Sequence, residues 1–375
     1  MKILVLGCGE MGKEAIRDLF GTCACTRIGI GSRHGDRAED VAATLKYGRS
    51  DVVTHEIDVH DHHALVRLMR EYDAVANLAG PNFRNAVPVA KAAIEAGVSL
   101  VDVMDDWETT LEMFELDPEA RAAGVTIITG LGASPGATDI MARAGVDRLD
   151  HAEEIRTSWV MRSSDPGGPA LARHLLHSLP QRAFVYEDSE MREVVPFRDG
   201  AEVIHYPLLG NVEVFHIGHP EPFMLARTFP GVRYADDKAT FLPAIVNDWI
   251  VELGAVARPN RPIEVDGERV DSMDWAADTF LRRCGEVSGE LPVGALRTEV
   301  RGESCGKPKR IVFDVPGRIG YGTGIPASIG AQFLARGQLH EPGVHPPEAC
   351  IDPDLFFEEV KKRSVEEIRE TWIEE

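Results

Sequence analysis

Lys2-Ile3-Leu4-Val5-Leu6-Gly7-Cys8-Gly9-Glu10-Met11-Gly12 decides the fold: a short apolar run meets the spacing G-x-G-x-x-G, and a helical pattern follows from Lys13. Gly7 permits the tight turn out of a strand, Gly9 lets the backbone approach a pyrophosphate, and Gly12 lets helix and strand pack closely. The helix N-terminus then offers free amide groups and a partial positive charge to an anion. Outward from this turn, strand-like runs at 2–6, 27–31, 52–58, 74–78, 99–103 and 125–129 alternate with helical segments at 13–20, 37–47, 62–70, 85–96 and 107–123. The alternation predicts an α/β fold, a Rossmann-type doubly wound parallel sheet.

The second strand bears on which dinucleotide fits. An acidic residue about 20 positions past the glycines would bind the ribose 2′-OH of NAD. Here Ser32 and Arg33 follow Gly31, with Arg37 one helical turn on. A hydroxyl and guanidinium groups suit a 2′-phosphate, so NADP is expected, with NAD possible. Asp58 and Val59 close the third strand where adenine contacts fall, and Ala79, Gly80 and Pro81 border the nicotinamide half. With Gly7, Gly9, Glu10, Met11 and Gly12 they form the expected cofactor set.

At 375 residues the chain suits two domains. Its 44% hydrophobic and 27% charged residues are ordinary globular usage. A net charge of −21 repels phosphate backbones and anionic lipid, which argues against nucleic-acid and membrane partners. The run 3–6 is too short for a signal-peptide core and no apolar stretch reaches spanning length, so a cytoplasmic location is expected. Past residue 150 the rhythm changes to strands at 154–161, 183–186, 193–197, 212–217, 296–301 and 310–315, with a hairpin loop over 302–308. That reads as an α+β second domain, followed by helices at 326–336 and 353–362 and an acidic tail ending Glu374-Glu375.

Cys8, Cys23, Cys25, Cys284, Cys305 and Cys350 show no C-x-x-C spacing and are expected to be reduced thiols. His60, His62 and His63 beside Asp58 and Asp61 read as the solvated start of a helix capped by Asp61. His174 with His177, and His216 with His219, lack a clear third ligand, so no metal is expected. No G-x-S-x-G occurs, which removes support for serine-hydrolase chemistry.

Several stretches resemble the saccharopine dehydrogenase family: Met11 to Ala15 with Arg17-Asp18-Leu19, then Asn77-Leu78-Ala79-Gly80-Pro81, then residues 89–97 with Val101-Asp102. Residues 122–128 and 130–136 continue the likeness, as do Gly343 to Glu348 and Lys361-Lys362-Arg363. Within the family the likeness is to the L-lysine 6-dehydrogenase and saccharopine-reductase-like branch. The resemblance implies a Rossmann domain completed by the C-terminal helices, here residues 1–135 plus 325–375, around an inserted α+β domain for substrate and dimerisation at 136–324. It also implies a homodimer, and hydride transfer between a nicotinamide and the carbon bearing an amine, on a small amino acid or related amine.

On that reading Lys91 and Asp102 match recurring positions, and a Lys–carboxylate pair would shuttle the amine proton. Gly132 joins the cofactor set, because the loop 132–138 is expected over the cofactor. Asn82, Arg84 and Arg227 are the candidates for substrate polar groups, arginine because its planar fork matches a carboxylate. Ser32-Arg33 departs from the acidic residue of an NAD-linked lysine 6-dehydrogenase, and residues 218–262 show no clear match to that enzyme. The main expectation is an NADP-dependent oxidoreductase acting on CH–NH or CH–NH2 groups. The alternatives are an NAD-dependent L-lysine 6-dehydrogenase and a non-catalytic nicotinamide-binding regulatory protein.

Overall fold

Ile3, Leu4, Val5 and Leu6 are fully buried in the computed structural model, as a central strand with helices on both faces requires. The structure describes every residue except 47, 49, 166–167, 259, 288–292, 364–367 and 375. Strands β1 (Lys2–Leu6), β2 (Arg27–Ser32), β3 (Asp51–Glu56), β4 (Ala74–Asn77), β5 (Ser99–Asp102) and β6 (Thr126–Thr129) are all parallel, in the spatial order β6-β5-β4-β1-β2-β3. Between them run α1 (Glu10–Thr22), α2 (Gly35–Thr44), α3 (His62–Met69), α4 (Asn82–Ala96), α5 (Trp107–Glu115) and α6 (Asp117–Ala123). The order reverses between β1 and β4, which opens the crevice where doubly wound sheets bind ligands.

Local chemistry sets the helix ends. Asp61 accepts the Ala64 amide at 3.0 Å and caps α3. The expected helix over 107–123 divides at Leu116, because Pro118 fits only in the first turn of a new helix. Tyr47, at the far end of the expected second helix, lies outside the described residues. The Cys23 and Cys25 thiols, expected reduced, are joined in a disulfide; one intervening residue sets their Cα atoms 5.1 Å apart, within reach of the bond.

Helix α7 (Ala137–Asp147) leads into a mixed sheet. Its strands are β7 (His151–Arg162), β8 (Ala183–Glu187), β9 (Glu190–Val194), β10 (Glu202–Tyr206), β11 (Gly210–His216) and β12 (Tyr234–Leu242); β13 (Pro262–Val265) and β14 (Glu268–Asp271) pair separately, and β15 (Gly294–Ser304) and β16 (Lys307–Gly317) complete the run. Helices α8 (Pro169–Ser178), α9 (Glu221–Thr228), α10 (Ile245–Val256) and α11 (Ser272–Val287) accompany them. β12 lies parallel to β7 while the other pairs of this sheet are antiparallel. The expected loop 302–308 is mostly ladder: Cys305 and Gly306, both at positive φ, make a two-residue turn and Ser304 pairs Lys307. The same turn chemistry at Asp188 and Ser189 shifts the expected strand 193–197 back to β9.

The chain then returns to the first sheet through α12 (Ile319–Ala335), β17 (Gly343–His345), α13 (Pro347–Cys350) and α14 (Pro353–Lys362). β17 pairs with β6 as a seventh parallel strand. Helix α12 lies directly on α1: a Cβ at Gly324 would fall 2.5 Å from the Met11 carbonyl oxygen. A buried polar knot fixes this seam. Arg363 donates to Asp18 at 2.8 Å, to the Glu359 carboxylate at 2.7 Å and to Thr22 at 3.2 Å, while Ser328 donates to the second Asp18 oxygen at 2.5 Å. The last strand, β18 (Arg369–Glu374), pairs with β16, so the expected acidic tail belongs with the second sheet rather than the first. The chain divides into two compact units, Met1–Ile140 with Ile319–Val365, and Met141–Arg318 with Glu366–Glu375.

Candidate active site

The three glycines of the first turn do different work. Gly7 sits at φ +91°, and a Cβ there would lie 2.4 Å from the Leu78 carbonyl oxygen; one at Gly12 would lie 2.0 Å from the Gly7 carbonyl oxygen. Both positions are closed by packing of the protein on itself. A Cβ at Gly9, by contrast, would meet nothing within 4 Å. Gly9 is also the N-cap of α1 and supplies no side-chain acceptor, so no cap side chain takes up the first amides of that helix. A bare helix N-terminus beside an open backbone at the switch point fits a pyrophosphate. Glu10 and Met11 form the first turn of α1.

At the end of β2, the Ser32 hydroxyl accepts the His34 amide at 3.1 Å and shapes the turn into α2. Arg33 and Arg37 are exposed, and among the described residues neither guanidinium has a hydrogen-bond or ion-pair partner. Asp58 is exposed past β3 and accepts the His60 amide at 3.0 Å; Val59 beside it is half-buried. His60, His62 and His63 do not converge: His60 bonds Asn85 at 3.0 Å and His62 bonds Glu95 at 2.6 Å.

The carboxyl edge of β4 and β5 carries the most unusual chemistry in the first unit. Asp102 is 1% exposed, and the Asn77 amide nitrogen donates to its Oδ2 at 2.6 Å. Burial pushes the Asp102 carboxyl up to about 7, against the opposing pull of the Asn77 amide and the Met104 backbone N–H. Asn77 Oδ1 accepts the Ala79 amide at 3.2 Å and so shapes the loop that runs through Gly80 and Pro81 into α4. Asn82 ties that helix start to the next loop, donating to the Val103 carbonyl at 3.2 Å and to Asp105 at 3.1 Å. Arg84 is exposed, its guanidinium 5.6 Å from the centre of the Phe83 ring.

Lys91 does not join Asp102. It lies on the exposed face of α4, nine residues past Asn82. That places it roughly 13 Å down the helix from the carboxyl edge, at 1.5 Å per residue. The expected Lys–carboxylate pair is therefore absent among the described residues, and a neutral Asn77 faces Asp102 instead. Gly132 lies in a buried loop closed by its own amide to the Pro135 carbonyl at 3.0 Å; a Cβ there would come 3.2 Å from Thr323 of α12.

In the second unit Arg227 is exposed on α9. Sequence reading passed over a buried trio there. His219 Nδ1 lies 2.8 Å from Glu221 and 3.2 Å from Asp237, and Thr157 and Trp159 donate to Asp237. These donor atoms could also hold a metal ion. Although burial alone would lower it, the Glu221 and Asp237 carboxylates hold the His219 imidazole well above its usual range; burial and Glu221 raise Asp237. On the opposite face of β12, Asp236 accepts from Tyr234 at 2.9 Å and pairs with His216 and Lys238. The available signals were the short spacing His219-Pro220-Glu221 and the charged triplet Asp236-Asp237-Lys238 inside one element.

Residues 3–128 match the family model described as the saccharopine dehydrogenase NADP binding domain. The chain is 22% identical to the carboxyaminopropylagmatine dehydrogenase of Synechocystis, over 95% of this chain and 94% of that protein. It is 24% identical to the carboxynorspermidine synthase of Vibrio cholerae, over 96% and 94% of the two chains. A solved saccharopine dehydrogenase (L-Glu forming) from Saccharomyces cerevisiae shares the fold with a TM-score of 0.72, at 16% identity and with 99% of each chain covered.

Proposed function

We propose that the chain is a saccharopine dehydrogenase-family oxidoreductase for amine-related substrates, and that it oxidises or forms the C–N bond of a carboxylated alkyl amine with NADP(H). The observation that carries the reaction is the buried Asp102, with its raised proton affinity, at the carboxyl edge of the sheet that carries the open glycine turn two strands away. The substrate class is supported by the names of the two full-length relatives, each an amine chain bearing a carboxylated group.

Gly7, Gly9, Glu10, Met11 and Gly12 form the pyrophosphate turn, Ser32, Arg33 and Arg37 take the 2′-phosphate, and Asp58 and Val59 border the adenine. Ala79, Gly80, Pro81 and Gly132 border the nicotinamide half. The dinucleotide supplies the hydride acceptor or donor when bound. As the carbon gives up hydride, its nitrogen must lose a proton to form C=N, and Asp102 accepts that proton; in the reverse direction it returns it. A carboxyl near 7 suits both directions, because acid–base groups work best with a proton affinity close to the operating pH. The protonic role goes to Asp102 alone, since Lys91 is distant. Asn82, Arg84 and Arg227 are the candidates for gripping the substrate carboxylate. The enzyme is proposed to act as a homodimer in the cytoplasm. No helix among the described residues is long and apolar enough to cross a membrane.

The test follows absorbance at 340 nm with NADP or NAD against N-carboxyalkyl amines, saccharopine and lysine, and with NADPH against an amino-acid semialdehyde plus a diamine. Turnover on the N-linked compounds with a preference for NADP is expected. Turnover on lysine alone with NAD would replace this reading by an L-lysine 6-dehydrogenase. Tight NADPH binding with no turnover on any amine would replace it by a regulatory nicotinamide-binding protein.

A further inference from the structure

Asn77, Asp102 and Thr129 end three adjacent strands and pair in register across β4, β5 and β6. Paired residues of neighbouring parallel strands present their side chains on the same face, so the three form one polar row at the rim of the crevice. All three are at least nine-tenths buried, and among the described residues the Thr129 hydroxyl has no hydrogen-bond partner. Asp102 is the only ionisable member.

The orientation of the Asn77 carboxamide is dictated rather than free. One side meets the Ala79 amide, which can only donate, so the carboxamide oxygen must face it; the NH2 group is thereby turned to Asp102. The Ala79 carbonyl is held in turn by the Asn85 amide at 2.8 Å. Both backbone polar groups of Ala79, in the loop that borders the expected nicotinamide position, are therefore fixed by asparagine side chains. From these contacts we infer that Asn77 is a positioning residue: its carboxamide simultaneously aims the Ala79 amide and holds the Asp102 carboxyl group. This rests on the reading of Asp102 as the proton acceptor.

A neutral donor is what the position needs. A buried carboxyl with no donor holds its proton too strongly to act as a base near neutrality, and one facing a cation would fall into the ordinary carboxylate range and lose its strength as a base. A carboxamide stabilises the ionised form without cancelling the effect of burial. Asp105, in the loop after β5, is the neighbouring charge and pushes Asp102 upward; the Met104 backbone N–H pulls it down. His60 stands at the outer end of the chain of contacts, bonded to Asn85.

The experiment compares wild type, Asn77→Ala and Asn77→Ser in complex with NADP. Asp102 protonation is read directly from carboxyl infrared difference spectra over pH, with Asp102→Asn identifying the band. The pH profile of kcat for amine oxidation is read beside it. In Asn77→Ala the carboxyl titration and the acid limb of kcat should both move up by about one unit, so that activity below the limb falls about tenfold. Asn77→Ser, which keeps one donor, should fall between. A titration unmoved by Asn77→Ala, or moved no less by Asn77→Ser, overturns the inference, as does a variant that only loses thermal stability. If the titration moves but Asp102→Asn keeps kcat within about threefold, the link between Asn77 and Asp102 holds and the catalytic reading of Asp102 fails.

Discussion

Replacing Arg363 with Met should destabilise the dinucleotide unit selectively. The Arg363 side chain is 3% exposed and its partners Asp18 and Glu359 only 6% and 12%. Methionine keeps the apolar stem but leaves both carboxylates without their buried cation. Glu359 retains the more exposed Lys362 at 2.7 Å, and Asp18 retains the Ser328 hydroxyl, so the loss should sit near the low end of the range for breaking a buried pair, about 3 kcal/mol. For a unit of this size that lowers the melting temperature by roughly 6–12 °C. The assay is scanning calorimetry with and without NADPH, in which the transition raised by NADPH belongs to the first unit. Adding Asp18→Asn to Arg363→Met should recover part of the loss by removing the stranded charge. The reasoning is refuted if the NADPH-sensitive transition of Arg363→Met stays within about 2 °C of wild type.

Three further outcomes are expected. Gly9→Ala should fold with an unchanged apo melting temperature yet weaken NADPH binding at least tenfold in isothermal titration, whereas Gly12→Ala, whose Cβ strikes the Gly7 carbonyl, should lose apo stability as well. Arg33→Ala and Arg37→Ala should each raise the Kd for NADPH by roughly five- to thirtyfold, about 1–2 kcal/mol for one exposed arginine–phosphate contact, with NADH affinity unchanged; equal losses for both cofactors would move the 2′-phosphate elsewhere. Stability of the second unit should be full below about 6.5 and decline as pH rises through the elevated value of His219, since the folded state binds that proton more tightly. His219→Gln should flatten the decline in melting temperature above that point, and an equally steep decline in the variant would exclude His219 as its source.

The first unit was legible because its signals are local. G-x-G-x-x-G, the apolar strands and the Asp61 cap each act within a few residues, and the fold follows from their order. The second unit hid an interior strand: β12 carries Asp236, Asp237 and Lys238, whose charges are met by Thr157 of β7, Glu202 of β10 and His219 just ahead of α9, all distant in sequence. A strand whose polar residues are satisfied across the sheet has no apolar signature of its own. The cofactor turn could be read from spacing, but the Asp102 environment could not. Its partner is a cross-strand neighbour 25 positions earlier, and nothing in the local sequence distinguishes that contact from the Lys91 pairing that helix geometry rules out.

The glycine-lined seam between α1 and α12 bears on how the chain is made. Residues of β1 and α1 leave the ribosome well before α12 and cannot complete their packing until the segment from residue 319 to 363 has been synthesised. The intervening unit, nearly contiguous in sequence, has most of its strands available first, and it bridges a loop whose closure the dinucleotide unit must await. The nascent first sheet thus waits through synthesis of the whole second-unit run with the α12 side of α1 uncovered, a period in which a holding chaperone has an obvious client and premature termination before α12 leaves an aggregation-prone product.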